Sequence, residues 1–178
     1  MPIRQIVYIN DERLRQKAKK IKQFSPSLKK LAQDMLETMR AYDGVGLAGP
    51  QIGVMQRIFV AEIPSPNDDA EPHPQSGRSY ILVNPEIVKS SEALVEGQEG
   101  CLSIPNWQGL VERPEWVEVK AQNIDGRKIK LKVDGYLARI FSHEIDHLNG
   151  VLFFDHITNQ EKLWEISPKD PSGGSETS

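Results

Sequence analysis

Three side chains between residues 143 and 147 have the types and the spacing to do chemistry. His143, Glu144 and His147 read H-E-x-x-H. In an α-helix, residues four apart lie one turn above each other, so the two imidazoles can offer nitrogens to one metal ion. Glu144 points about 100° round the helix from its neighbour. That is the wrong direction for a third ligand, but it lets a carboxylate hold a water beside the metal, as a general base must.

Two histidines do not complete a tetrahedral site. The metzincin pattern continues with x-x-G-x-x-H; Gly150 is present, but Phe153 stands where the histidine would be. His156 comes three residues late, so the third ligand is expected upstream. The sole cysteine, Cys101, excludes an internal disulfide, and its thiol is buried, reactive or metal-bound. A small core residue is the plainer reading of a free cysteine.

The H-E-x-x-H segment needs a helix, and its surroundings supply one. Leu137, Ile140, Phe141, Ile145 and Leu148 form a broad apolar surface, Asp134-Gly135 precedes it as a turn and Asn149-Gly150 follows as a stop. Two histidines and a glutamate on a buried helix are costly unless compensated, and a metal compensates them directly.

A chain of 178 residues, 38% hydrophobic, is long enough for one domain with a sizeable core. The expected division is a single catalytic domain over residues 1–166 and a disordered tail over 167–178. A formal net charge of −3 and the expected absence of any basic block argue against a nucleic-acid surface. No apolar run approaches the roughly 20 residues of a membrane span, and the first residues read as neither signal nor transit peptide. A cytoplasmic location is expected.

Elsewhere the pattern is mixed. Residues 3–9 read as an extended segment and Asp11 to Leu14 as a short turn or helix. Ser25-Pro26 opens an amphipathic helix through Leu28, Leu31, Met35 and Met39 to Tyr42-Asp43-Gly44. Gly44 to Gly53 is a run of small residues around one amide side chain, Gln51; it is read as a turn or as a place of close backbone approach to a ligand. Arg57 to Ala61, Tyr80 to Pro85 and Glu86 to Val88 read as strands, with an exposed loop from Pro64 to Ser79. Trp116–Ala121 and Lys128–Val133 alternate around Asp125-Gly126 as a β-hairpin. Thr158 and Glu161 have the spacing of a capping box for a short helix. The expected fold is α+β, with mostly antiparallel strands packed around a buried central helix that carries H-E-x-x-H.

Three segments, Gly44-Val45-Gly46-Leu47-Ala48-Gly49-Pro50-Gln51, Glu99-Gly100-Cys101-Leu102-Ser103 and His143-Glu144-Ile145-Asp146-His147, together resemble the motifs of the peptide deformylases, in family order. The likeness runs from about Ile6 through His156. It departs at Gly49, where the family commonly has alanine, and at Ser142, where it commonly has glutamine. Neither is a ligand or a base, so the departures bear on packing behind the site.

The resemblance implies removal of the N-formyl group from the initiator methionine of new polypeptides, releasing formate. It implies Cys101, His143 and His147 as metal ligands that leave one position open for water, with Glu144 as the base. Gln51 and the Leu102 backbone N–H would stabilise the oxyanion, Gly46 would hydrogen-bond the peptide, and Val45 and Ile140 would line the methionine pocket. Glu99 would pair with Arg113 and hold the cysteine loop. The cofactor would be one divalent ion, Fe²⁺ in the cell, with Zn²⁺ or Ni²⁺ acceptable to the same donors. The implied partners are N-formylmethionyl nascent peptides and, through them, a transient ribosome contact, with no direct nucleic-acid binding and no membrane. The rival readings are a general metalloendopeptidase and a non-catalytic metal module, which would need a fourth protein ligand.

Overall fold

The computed structural model describes residues 2–65 and 71–166. The amphipathic segment forms α1 (Pro26–Ala41), whose buried stripe is Leu28, Leu31, Ala32, Met35, Leu36 and Met39. Pro26 takes the first helical position, but the Ser25 hydroxyl meets Ser27 Oγ at 2.7 Å instead of capping a helix N–H. The helix stops where Asp43 turns to φ +55° and Gly44 N–H returns to Met39 C=O at 2.9 Å.

The strands are β1 (Gly46–Ala48), β2 (Ile58–Glu62), β3 (Ser79–Ser90), β4 (Leu94–Cys101), β5 (Ile104–Pro114), β6 (Trp116–Gln122), β7 (Lys128–Asp134) and β8 (Leu163–Glu165). They pair antiparallel in two sheets, ordered β1-β2-β3-β6-β7 and β4-β5-β8. The H-E-x-x-H helix, α2 (Gly135–Leu148), has all but three residues buried. The expected α+β fold, antiparallel strands around a buried helix, is what forms.

β2 shows why a continuous apolar run became a strand. Side chains alternate across a strand, so Ile58 and Val60 join the cluster under α1 while Phe59 and Ala61 join the cluster under α2. Both faces are covered. α2 thus lies on the five-stranded sheet through Phe141 against Phe59 and Tyr80, and reaches the other sheet through Arg139.

Several expectations need correction. The Gly44 to Gly53 run contains a buried strand, β1, and then a 3-10 turn at Gly49–Ile52. Sheet pairing of Leu47 with Val60 overrode the weak strand propensity of glycine. The two strands expected between Tyr80 and Val88 are one, bulged near Asn84, whose φ is +51°. The short turn Gln160–Lys162 is capped by Asn159 instead of Thr158. Of the 64–79 loop, residues 66–70 lie outside the described residues, as does the tail 167–178. Against the net charge of −3, Arg13 to Lys22 carries six exposed cations and no acid. Leu14, Ala18 and Ile21 anchor that run, which crosses the C-terminal end of α2, where Ala18 N–H meets Leu148 C=O at 2.9 Å.

Candidate active site

The two halves of the site arrive from opposite sheets. α2 supplies His143, Glu144 and His147, held against the five-stranded sheet by the apolar face already described. The β4–β5 hairpin turns in two residues, Leu102 and Ser103, between paired Cys101 and Ile104, which brings the thiol to the helix. The 3-10 turn after β1 brings Gln51. All of these except Leu102 are buried.

His143 Nε2 and His147 Nε2 lie 3.2 Å apart, and His147 Nε2 is 3.3 Å from Cys101 Sγ. The three donor atoms all fall within 4.8 Å of one another. Bonds of about 2.0–2.3 Å to a tetrahedral ion separate donors by roughly 3.3–3.8 Å, so the spacing and the donor types both fit a divalent metal. Among the described residues no fourth His, Cys, Asp or Glu joins the group. The non-catalytic rival lacks its extra ligand.

The electrostatics favour one positive charge here and no more. Burial opposes protonation of His143, yet hydrogen bonding with Cys101 and Glu99 and the Glu144 carboxylate push its pKa up to about 10. His147 goes the other way, well below the usual value, because burial is joined by repulsion from His143 and Arg113. The negative charge of Glu99 and Glu144 that favours a proton on His143 also favours a cation at that place.

Behind the donors stands a buried ion network. Glu99 Oε1 lies 2.8 Å from His143 Nδ1, and Arg113 grips both carboxylate oxygens at 2.9 Å. Arg113 also donates to Asp146 Oδ2 at 2.6 Å, and His156 meets the same oxygen at 2.8 Å. Arg139 donates to Glu99 Oε2 at 2.7 Å and to the carbonyls of Val111 and Val95. Burial alone would raise the Glu99 pKa, but the Arg113 and His143 contacts hold it far below the carboxylate range. His147 Nδ1 has no hydrogen-bond partner among the described residues.

Gln51 is oriented by its own turn. Its Oε1 accepts from Ala48 N–H at 2.9 Å, which turns Nε2 toward Cys101 Sγ at 3.4 Å and Ser103 Oγ at 3.3 Å. The side chain therefore presents a donor to Cys101, one of the three candidate ligands. Gly46 lies over Glu144: a Cβ there would run into the carboxylate, 2.8 Å from its Cδ. The close approach of backbone to the Glu144 carboxylate leaves room for glycine alone.

A small cavity beside His143 is lined by Val45, Gly100, Tyr136, Arg139 and Ile140, so the two expected pocket residues meet there. A wider cleft of about 570 Å³ shares Tyr136 and Arg139 but touches none of the three metal-ligand candidates. Leu102 sits on the hairpin tip next to Cys101, with its side chain against the α1 cluster. The family departures have local explanations. A Cβ at Gly49 would lie 2.6 and 2.7 Å from the carbonyls of Val54 and Gln56, and Ser142 Oγ bonds Ala138 C=O at 2.8 Å.

Arg139, Ser103, Asp146 and His156 were not anticipated. Arg139 carried a readable signal: an arginine among Leu137, Ile140 and Phe141 on a buried face requires a buried partner. Asp146 and His156 carried none, since acidic and histidine side chains at such positions are usually solvated.

The family model for polypeptide deformylase matches residues 3–163. The chain belongs to the polypeptide deformylase family. A peptide deformylase of Thermomicrobium roseum is 48% identical over 170 residues, 96% of this chain and 94% of that protein. The crystal structure of a peptide deformylase from Synechococcus elongatus in complex with actinonin superposes with TM-score 0.81 at 40% identity, covering 91% and 82% of the two chains. A Met-Ala-Ser-bound peptide deformylase from Acinetobacter baumannii gives TM-score 0.80 at 34% identity, covering 88% and 99%. The three deformylase motifs are the segments that converge on Cys101, Gln51 and the α2 histidines.

Proposed function

We propose that this chain hydrolyses the N-formyl group from the initiator methionine of new polypeptides, releasing formate and a free amino terminus. One observation carries the reading. A buried Cys-His-His donor set has an amide N–H donor beside it and the Glu144 carboxylate on the same helix, packed under Gly46. The Met-Ala-Ser peptide bound to the Acinetobacter relative is the kind of product such a reaction leaves.

Cys101, His143 and His147 would hold one divalent ion. When bound, it supplies Lewis acidity, lowering the pKa of a water toward neutrality and polarising the formyl carbonyl. Glu144 takes the proton of the attacking water as the new C–O bond forms, then delivers it to the amine nitrogen as the C–N bond breaks. Gln51 Nε2 and the Leu102 N–H donate to the oxygen that gains charge. Gly46 offers backbone hydrogen bonding to the peptide. Val45 and Ile140 contact the methionine side chain.

Glu99 fixes the His143 tautomer and thereby turns Nε2 to the metal side. Residues 1–166 act as one catalytic domain. Fe²⁺ is the ion proposed in the cell, with Zn²⁺ or Ni²⁺ compatible with the same donors. The location proposed is cytoplasmic, with a transient ribosome contact.

Two measurements test this. Protein prepared without oxygen should contain one divalent ion per chain and release formate from formyl-Met-Ala-Ser. Cleavage of internal peptide bonds at a comparable rate would instead select the general endopeptidase.

A further inference from the structure

The start of α2 is held by a distant residue. The Asp134 side chain makes no capping hydrogen bond. Gln75, 62 residues upstream of Leu137, accepts from Leu137 N–H at 3.1 Å through Oε1. Its Nε2 donates to the Asp134 carbonyl and to Asp134 Oδ1, each at 3.0 Å. The His73 ring lies 5.8 Å from the Tyr136 ring, and His73 Nδ1 accepts from Gln75 N–H at 3.1 Å. Every one of these contacts across the chain falls on residues 134–137, and Tyr136 is in the middle of them.

Tyr136 also lines the cavity formed by Val45, Ile140 and His143. Gly135, just before it, takes φ +57°, so the chain turns sharply from β7 into the helix at this point. A small rotation at such a turn swings the next side chain through a large arc. A cap needed only for helix stability could come from Asp134 itself, as it commonly does. Here one amide clamps both flanks of Tyr136 with three hydrogen bonds.

We infer that Gln75 is a positioning residue for the methionine pocket: by clamping residues 134–137 it sets the place of Tyr136, and with it the width of the cavity that the side chain enters. The inference rests on the deformylase reading. It makes Gln75 a determinant of side-chain discrimination, acting through Tyr136 and remote from the formyl carbon.

The test compares formyl-Met-Ala-Ser with formyl-Ala-Ala-Ser. Gln75→Ala should lower kcat/KM for the methionine substrate roughly tenfold, the low end of what a pocket contact is worth. The loss should appear in KM, with kcat and bound metal unchanged and the alanine substrate little affected. Tyr136→Ala should cause a similar loss, and the double variant should add nothing to it. Should Gln75→Ala fail to fold, Gln75→Glu loosens the same junction by placing a second carboxylate against Asp134 while keeping the acceptor for Leu137 N–H. A lowered Tm with an unchanged methionine-to-alanine ratio would overturn the inference and leave Gln75 as a cap. So would fully additive losses in the double variant. An inactive wild type would sink the deformylase reading instead. Calorimetric affinities for Met-Ala-Ser and Ala-Ala-Ser would then decide the role of Gln75, an equal ratio in wild type and Gln75→Ala overturning it.

Discussion

Glu99 Oε1 lies 2.8 Å from Nδ1 of His143, so a residue on the β4–β5 hairpin sets the face that an α2 imidazole turns toward Cys101. The same carboxylate is bound by Arg113 and Arg139, and all four side chains are buried. The network ties the three-stranded sheet to α2 beside the candidate metal donors. It therefore serves the fold and the site together, and one substitution should read out both.

Glu99→Gln should weaken metal binding by about 10–100-fold, the usual worth of a group that orients a ligating histidine. It should also destabilise the protein by about 3–5 kcal/mol, because buried Arg139 loses its counter-ion and buried Arg113 is left with Asp146 alone. Chelator competition and urea unfolding measure the two effects. Wild-type metal affinity in the variant would detach Glu99 from the ligand set.

Gly46 and Glu144 should fail together. Glu144→Gln is expected to keep the metal and to slow deformylation by roughly 10²–10⁴, the worth of a positioned proton-transfer group. Gly46→Ala forces a methyl group into the place of the Glu144 carboxylate and should reach a comparable loss. The double variant should be no worse than the slower single. Wild-type turnover in Gly46→Ala would show that the carboxylate moves aside freely.

What the sequence made legible was periodic or punctuated. α1, the β6–β7 hairpin and α2 have apolar repeats of 3.6 or 2 bounded by Pro, Gly or Asn, and those signals are local. β4 and β5 are polar and glycine-bearing, and β1 and β8 are only three residues each. Their strand character comes from partners distant in sequence, so no local pattern announced it. At the site, H-E-x-x-H was visible because one helix supplies it. Cys101 drew notice as the sole thiol and Gln51 as the one amide in a small-residue run, but their roles came through family resemblance, since no spacing rule links residues 51, 101 and 143. Arg139 could have been found from its apolar neighbours; Gln75 could not, because its partners lie 59 and 62 residues away.

Acid should loosen the segment that follows α2. Burial pushes the Asp155 pKa up, but Arg15 and the Leu152 N–H bind its ionised form and hold it below the ordinary value of 3.8. A depressed folded pKa contributes stability above the unfolded value, and that stability is lost as pH falls through 3.8 toward the lower folded value. Asp155→Asn should therefore flatten the stability profile between about pH 5 and 3 relative to wild type. Urea midpoints measured across that range check it. Parallel profiles would place the Arg15–Asp155 pair outside the acid response.

Gln51 should act on the transition state more than on binding. Its Oε1 is occupied by Ala48 N–H, so only Nε2 faces the ligands, and a carbonyl oxygen seated there meets a donor already aimed at it. A donor fixed before substrate arrives gains most when the oxygen gains charge. Gln51→Ala should then lower kcat by roughly 10²–10³ with little change in KM, the usual loss for one oxyanion donor. Gln51→Glu is the sharper variant. Its carboxylate can accept from Ala48 N–H but puts an unprotonated oxygen beside Cys101 Sγ and Ser103 Oγ, so it should be slower than Gln51→Ala. A rise in KM alone, or a Gln51→Glu enzyme faster than Gln51→Ala, would assign the amide to holding the turn and leave the oxyanion to the metal and the Leu102 N–H.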